Sequence, residues 1–460
     1  MPPMISTHIS CLVLSSVLLL ANAFTQHFST GINFPSQPHK AATTARYSTI
    51  TYQDATKNDL QISPSENKPG LGKVAIIAGA TGYIGRAVVR ECVARGYHTV
   101  SLVRNVTYAL TDDALSGSSL VMCDVGNEDE LNTIVQDIAG GKHLLESSIV
   151  TKPPPIDLMV SCLASASGIE SEVYAIDYAA TLSFLNAGRA NQARHFVLLS
   201  AFCCRNPLLK LQQAKLKFEA KLAEQQDMTY SIVRPTAFFK SVSGQFESIL
   251  KGNSYVLFGD GTVTHCNPIC ERDLATYMCD SALESFEKER WGKVLNIGGP
   301  DEPLSNRKLA EMMFESIGKK PKFVYVPTEI FDVSIGMIEW IAKNFPSEKW
   351  EDVLETAKIG KYYAVEDMLT TKEVEKFGER KMMDHFEQIA KDGQDPFTPV
   401  RATAIISQTL EALPVLSVSL PIGLGLASKP DLVQNVVASS PLANVPLLVA
   451  NLMDGSLWLN

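Results

Sequence analysis

The chain has 460 residues, 45% hydrophobic and 20% charged, with a formal net charge of −9 and a pI near 5.5. This is an ordinary globular composition, with room for two or three domains or one large α/β domain with insertions and tails. The acidic balance excludes a nucleic-acid partner, which requires a basic face. Nine scattered cysteines without a CxxC pair exclude a zinc or iron–sulfur ligand set and read as free thiols of a reducing compartment.

The first acidic residue is Asp54. Before it, the apolar run Cys11–Ala21 ends in Ala21-Asn22-Ala23, small residues of the kind a signal peptidase reads, and is too short for a confident membrane span. Phe24 then opens a Ser/Thr-rich stretch with Lys40 and Arg46. A signal peptide over residues 1–23 followed by a transit-like linker over 24–68 resembles the bipartite plastid presequences of diatoms and related algae. The resemblance implies a plastid enzyme, in the stroma or at the membrane periphery.

From Val74, short apolar runs alternate with helical stretches, which predicts a doubly wound parallel sheet. The expected strands are Val74–Ala78, Thr99–Val103, Leu120–Cys123, Leu158–Cys162, His195–Ser200 and Thr229–Val233. Between them lie helical stretches at Tyr83–Arg95, Glu128–Asp137, Asp177–Arg189 and Pro207–Ala223. Past Pro235 the rhythm breaks into shorter elements around Phe258-Gly-Asp-Gly261 and Ile297-Gly-Gly-Pro300. The expected organisation is therefore a doubly wound, Rossmann-type domain over 69–240, a smaller lobe over 241–395 and an extension over 396–460. Residues 412–428 and 432–453 carry no charge but are broken by Pro414, Pro421, Pro441 and Pro446. That pattern disfavours a spanning helix and leaves peripheral membrane or protein attachment, or a packed appendage, as the extension's role.

The first strand runs into Gly79-Ala-Thr81-Gly82-Tyr83-Ile84-Gly85. In a strand–turn–helix context this is a dinucleotide loop: Gly79 for the tight turn, Gly82 for close backbone approach to a pyrophosphate, and Gly85 for packing of the helix on the sheet. At the end of the second strand, where a carboxylate would select NAD, stands Arg104, whose guanidinium pairs with the 2′-phosphate of NADPH. Asp124, with Val125, closes the third strand where a carboxylate accepts from an adenine amino group. Ser161-Cys-Leu163-Ala-Ser165 closes the fourth, beside the nicotinamide ribose.

Extended short-chain dehydrogenases add Tyr-x-x-x-Lys. Here Ser200 ends the fifth strand and Lys215 lies in the next helix, but the residue four before it is Leu211, so alcohol chemistry is disfavoured. The segments Phe196–Ala201, Gln212–Glu219, Ile232–Lys240, Tyr255–Gly261, Asn296–Pro300 and Lys358–Ala364 together resemble the NADPH-dependent divinyl chlorophyllide 8-vinyl reductases of plants and some phototrophic bacteria. The likeness spans about residues 70 to 395. It implies hydride transfer from NADPH to a vinyl group conjugated to a tetrapyrrole. No alkoxide forms in that reaction, so the missing phenol is not needed. The substrate carries its own magnesium, and the protein needs no metal. Two roles stay open for Lys215, as proton donor or as ligand of the nicotinamide ribose, with Ser200, Pro235 and Thr236 beside it. Phe238 and Phe239 are expected to stack on the macrocycle or to pack the lobe. The other readings are an NADPH-holding redox sensor or structural subunit, and a reductase of another conjugated double bond resembling isoflavone reductases.

Overall fold

The computed structural model describes residues 49–51, 68–144, 153–344, 346–366 and 375–394. The expected signal segment, most of the transit-like segment and the 396–460 extension lie outside them.

Eight parallel strands form the centre of the molecule: β2 (Val74–Ala78), β3 (His98–Val103), β4 (Ser119–Met122), β5 (Ile156–Ser161), β6 (His195–Leu199), β7 (Thr229–Pro235), β10 (Lys293–Gly298) and β13 (Glu375–Lys376). Their order is β4-β3-β2-β5-β6-β7-β10-β13, with β1 (Thr49–Thr51) antiparallel on the outer edge of β4. Strand order reverses between β2 and β5, so a crevice opens at their carboxyl ends, where open α/β sheets take ligands.

Alternation along β2 sorts its side chains into two cores. Val74, Ile76 and Ala78 join one; Ala75 and Ile77 join the other. Helices α2 (Glu128–Ala139), α3 (Thr181–Ala190) and α4 (Lys210–Glu224) cover the first face, while α1 (Tyr83–Ala94) and α5 (Glu271–Asp280) cover the second. The helix expected from Asp177 begins irregularly: Tyr174–Ala180 is a π-helical turn, and regular helix starts at Thr181.

The expected boundary at residue 240 is not where the sheet ends. Helix α5 returns to pack beside α1, and β10 pairs along β7 from Lys293↔Ser231 to Ile297↔Pro235. The edge of β7 is a row of open hydrogen-bonding groups that the chain closes with its own later segment. The six-strand reading missed β10 because polar and exposed residues interrupt its apolar run.

What remains of the second lobe is built on two small sheets, β8 (Tyr255–Phe258) with β12 (Phe323–Val326) and β9 (His265–Cys266) with β11 (Leu304–Ser305). With α6 (Asn306–Ser316) and α9 (Met382–Asp392) they enclose a third core around Phe239, Phe246, Leu257, Met313 and Phe386. Two further helices, α7 (Glu329–Asn344) and α8 (Glu348–Val365), pair with each other. Among the described residues, no helix is long and apolar enough to cross a membrane, and no cluster of His, Cys, Asp and Glu could hold a metal.

Candidate active site

The crevice is lined first by the turn from β2 into α1. Gly79 has φ +76°, and a Cβ there would lie 2.6 Å from the Cys162 carbonyl oxygen at the end of β5. A Cβ on Gly85 would lie 2.0 Å from the Gly79 oxygen. The turn therefore folds back on itself only because both positions lack side chains. Gly82 is the N-cap of α1, with no side-chain cap and no acid in the first turn. The uncapped amides and the helix dipole face the crevice, which suits a pyrophosphate. Tyr83 flanks the loop and donates to Glu271 Oε2 of α5 at 2.8 Å.

Arg104 follows β3 and is exposed, just before Asn105, whose side chain caps the short helix Val106–Ala109. Asp124 follows β4, is also exposed and accepts from the Gly126 amide at 3.0 Å; Val125 is buried behind it. At the end of β5 the hydroxyls of Ser161 and Ser165 are buried without a hydrogen-bond partner among the described residues. These are donors held for something else.

The other wall comes from β6, β7 and α4. Lys215 is buried, and its Nζ lies 2.8 Å from Asp177 Oδ1. Burial by itself would weaken the ammonium, but the Asp177 carboxylate outweighs it and holds the pKa above the ordinary lysine value. The second oxygen of Asp177 accepts the Ser165 amide at 2.9 Å. Ser200 donates to Glu219 Oε1 at 2.5 Å, and Glu219 also takes both Nε (3.0 Å) and Nη2 of Arg234. Helix α8 is fastened along this wall at three points. Glu355 accepts the Lys210 amide at 2.7 Å, Tyr362 donates to the Cys203 carbonyl at 3.2 Å, and Glu366 accepts from Asn206 at 3.1 Å.

A glycine cradle at the switch point and an open helix N-terminus form a turn that suits a dinucleotide. Comparisons with known proteins agree. The NAD(P)H-binding family model matches residues 79–282. The Arabidopsis thaliana divinyl chlorophyllide a 8-vinyl-reductase, chloroplastic, is 39% identical over 371 residues, covering 76% of this chain and 84% of that protein. The chain belongs to the divinyl chlorophyllide a 8-vinyl-reductase family. The Cucumis sativus member is 40% identical over 338 residues, covering 69% of this chain and 76% of that protein. Among solved structures, an Escherichia coli NADPH-dependent quinone oxidoreductase complexed with NADPH is similar at 16% identity and TM-score 0.48, over 69% of this chain and all of that one.

In this reductase-family chain the expected nucleotide-site residues divide into four groups. Gly79, Thr81, Gly82, Tyr83, Ile84 and Gly85 form the turn itself. Arg104, Asp124, Val125 and Leu163 follow three strand ends of the same sheet edge. Ser200 and Lys215 sit on the opposite wall, already engaged with Glu219 and Asp177. Pro235 pairs with β10 inside the sheet, while Thr236 donates its amide to Ile297 O of β10 and its hydroxyl to Asn267 O, so Thr236 joins the sheet to the second lobe.

Phe238 is half-buried with its ring 6.2 Å from that of Tyr83. Phe239 is a correction: it is fully buried in the third core, 5.3 Å from the His385 ring, and has no face left for a macrocycle.

Sequence reasoning assigned no role to Asp177, Glu219 or Arg234. For Asp177 the signal was a carboxylate at helical spacing with Thr181, Phe184 and Gly188; Glu219 shares its stripe with the polar Gln212 and Lys215 as well as Leu222, so nothing there set it apart.

Proposed function

We propose that this chain reduces the 8-vinyl group of divinyl chlorophyllide or protochlorophyllide to an 8-ethyl group with NADPH, as a step of chlorophyll biosynthesis in the plastid. The observation that carries the reading is the extent of the likeness to the named reductases. It runs beyond the nucleotide loop and covers most of this chain and most of theirs. The glycine cradle fits a dinucleotide, since a Cβ at Gly79 or Gly85 would strike backbone and close the turn.

Bound NADPH supplies hydride to one vinyl carbon. The other carbon takes a proton, so one NADPH and one proton convert vinyl to ethyl. The chain's own residues hold the partners. The α1 N-terminus seats the pyrophosphate, Arg104 takes the 2′-phosphate, and Asp124 takes the adenine amino group. Lys215, with the unpartnered hydroxyls of Ser161 and Ser165, takes the nicotinamide ribose. The absence of a phenol at Leu211 agrees with a reaction that makes no alkoxide. Phe238 offers an aromatic edge to the tetrapyrrole on the side of the second lobe.

The test is direct: purified protein with NADPH and divinyl chlorophyllide, followed by the blue shift of the Soret band and NADPH oxidation in equal amounts. NADPH binding without a Soret shift would overturn the reading in favour of a sensor or subunit.

A further inference from the structure

We infer that Asp177 is the positioning residue of this site: it fixes Lys215 as a permanent cation for the cofactor ribose and withdraws it from proton donation. The inference rests on the NADPH reductase reading and decides between the two roles open for Lys215.

The local structure at Asp177 is unusual in two ways. The carboxylate is fully buried on a helix stripe otherwise lined with Thr181, Phe184 and Gly188, where an acid carries a large desolvation cost. It also sits in a π-helical turn, a strained insertion that tends to occur at functional positions. A buried ion pair adds little net stability over an apolar pair of the same volume, so stability alone does not account for either feature.

What the arrangement accomplishes is geometric. One carboxylate oxygen meets Lys215 Nζ at 2.8 Å, and the other accepts the Ser165 amide at 2.9 Å. Asp177 thereby ties the loop after β5 to the lysine on α4, setting the two walls of the crevice at a fixed separation. An ammonium has three donors. The ion pair with Asp177 engages one side of the nitrogen and leaves donors for the vicinal hydroxyls of a ribose.

The same contact argues against acid chemistry. Loss of the Lys215 proton would leave a buried Asp177 carboxylate facing a neutral amine. Ser200, the other polar group expected at this wall, has its proton committed to Glu219. The proton for the second vinyl carbon therefore comes from outside the Ser200–Lys215 pair.

The experiment is a double-mutant cycle on NADPH affinity, read by cofactor fluorescence without pigment, so it stands whether or not the pigment is the substrate. Asp177→Asn keeps an acceptor for the Ser165 amide but removes the charge. Affinity should fall about 10- to 100-fold, the range for losing a charged hydrogen bond. It should also gain an alkaline limb as the Lys215 pKa drops, whereas the parent stays flat to pH 9.5.

Asp177→Asn/Lys215→Met should bind NADPH no more weakly than Lys215→Met alone. With both charges gone, this double variant also folds if the single one does not. Additive losses, or an unchanged pH profile in Asp177→Asn, would overturn the inference. So would a Lys215→Met protein that binds NADPH like the parent yet loses turnover at saturating cofactor, because that is a proton donor's signature. Failure of the parent to reduce pigment while this cycle holds would overturn only the substrate assignment.

Discussion

The three glycines of the turn after β2 offer a graded test, because the structure separates what each does. Gly85→Ala adds a Cβ 2.0 Å from the Gly79 oxygen. Alanine returns about 1 kcal/mol of helix propensity, but a backbone oxygen has no rotamer through which to yield, and overpacking of this kind costs about 3 kcal/mol. The net loss is about 2 kcal/mol, or roughly 3 °C in Tm for a domain of this size. Gly79→Ala combines a left-handed φ of +76° with a Cβ 2.6 Å from the Cys162 oxygen. It should cost about 3 kcal/mol, with the carboxyl ends of β2 and β5 pushed apart.

Gly82→Ala differs from both. Its backbone is extended (φ −75°, ψ 165°), and among the described residues a Cβ there would meet only the Gly79 oxygen, at 3.1 Å. The fold should lose at most about 1 kcal/mol, the difference between glycine and alanine at an N-cap. The added methyl stands where the pyrophosphate must approach the amides, so NADPH affinity should fall at least about tenfold. Thermal melts and NADPH titrations on the three variants give the answer. A Gly82→Ala protein that binds NADPH like the parent, or that melts as low as Gly85→Ala, would refute the assignment of the cradle.

Arg104→Ala should weaken NADPH by about 10- to 100-fold and leave NADH nearly untouched, as titrations with both cofactors would show; equal losses would remove the 2′-phosphate from Arg104. Glu219→Leu leaves the half-buried Arg234 guanidinium without its carboxylate and should cost about 2–3 kcal/mol in urea unfolding, while Glu219→Leu/Arg234→Met should recover part of that loss. His195 is fully buried between Thr229 and Ser231, and burial lowers its pKa to about 3. The unfolded chain takes up this proton near pH 6.5 and the folded chain does not, so stability should fall as pH drops from 6.5 toward 3, by up to about 1 kcal/mol per pH unit. Urea midpoints at pH 7.5 and 5 would show the fall, and His195→Gln should lessen it.

Local signals in the chain determined the parallel sheet and the nucleotide turn. Apolar runs bounded by turn residues located β2 to within a residue, and a GxxGxxG spacing between strand and helix has few physical uses. Arg104 at the end of the second strand also offered a cofactor choice from the chain alone, and the titrations of Arg104→Ala with NADPH and NADH test it. Leu211 likewise excluded a phenol from one position on α4 without reference to anything distant.

Tertiary structure decided the rest, since it depends on residues far apart in the chain. The pairing of β10 with β7 joins segments some sixty residues apart, and the interrupted apolar run Lys293–Gly298 does not announce it. Phe238 and Phe239 are neighbours in sequence, yet one borders the crevice and the other fills the third core, because successive residues point in different directions. The ion pair of Asp177 with Lys215 needs a helix stripe, a π-helical turn and a second helix at one depth. A carboxylate on an apolar stripe signals that a partner exists. Only the folded chain supplies the partner and fixes the distance.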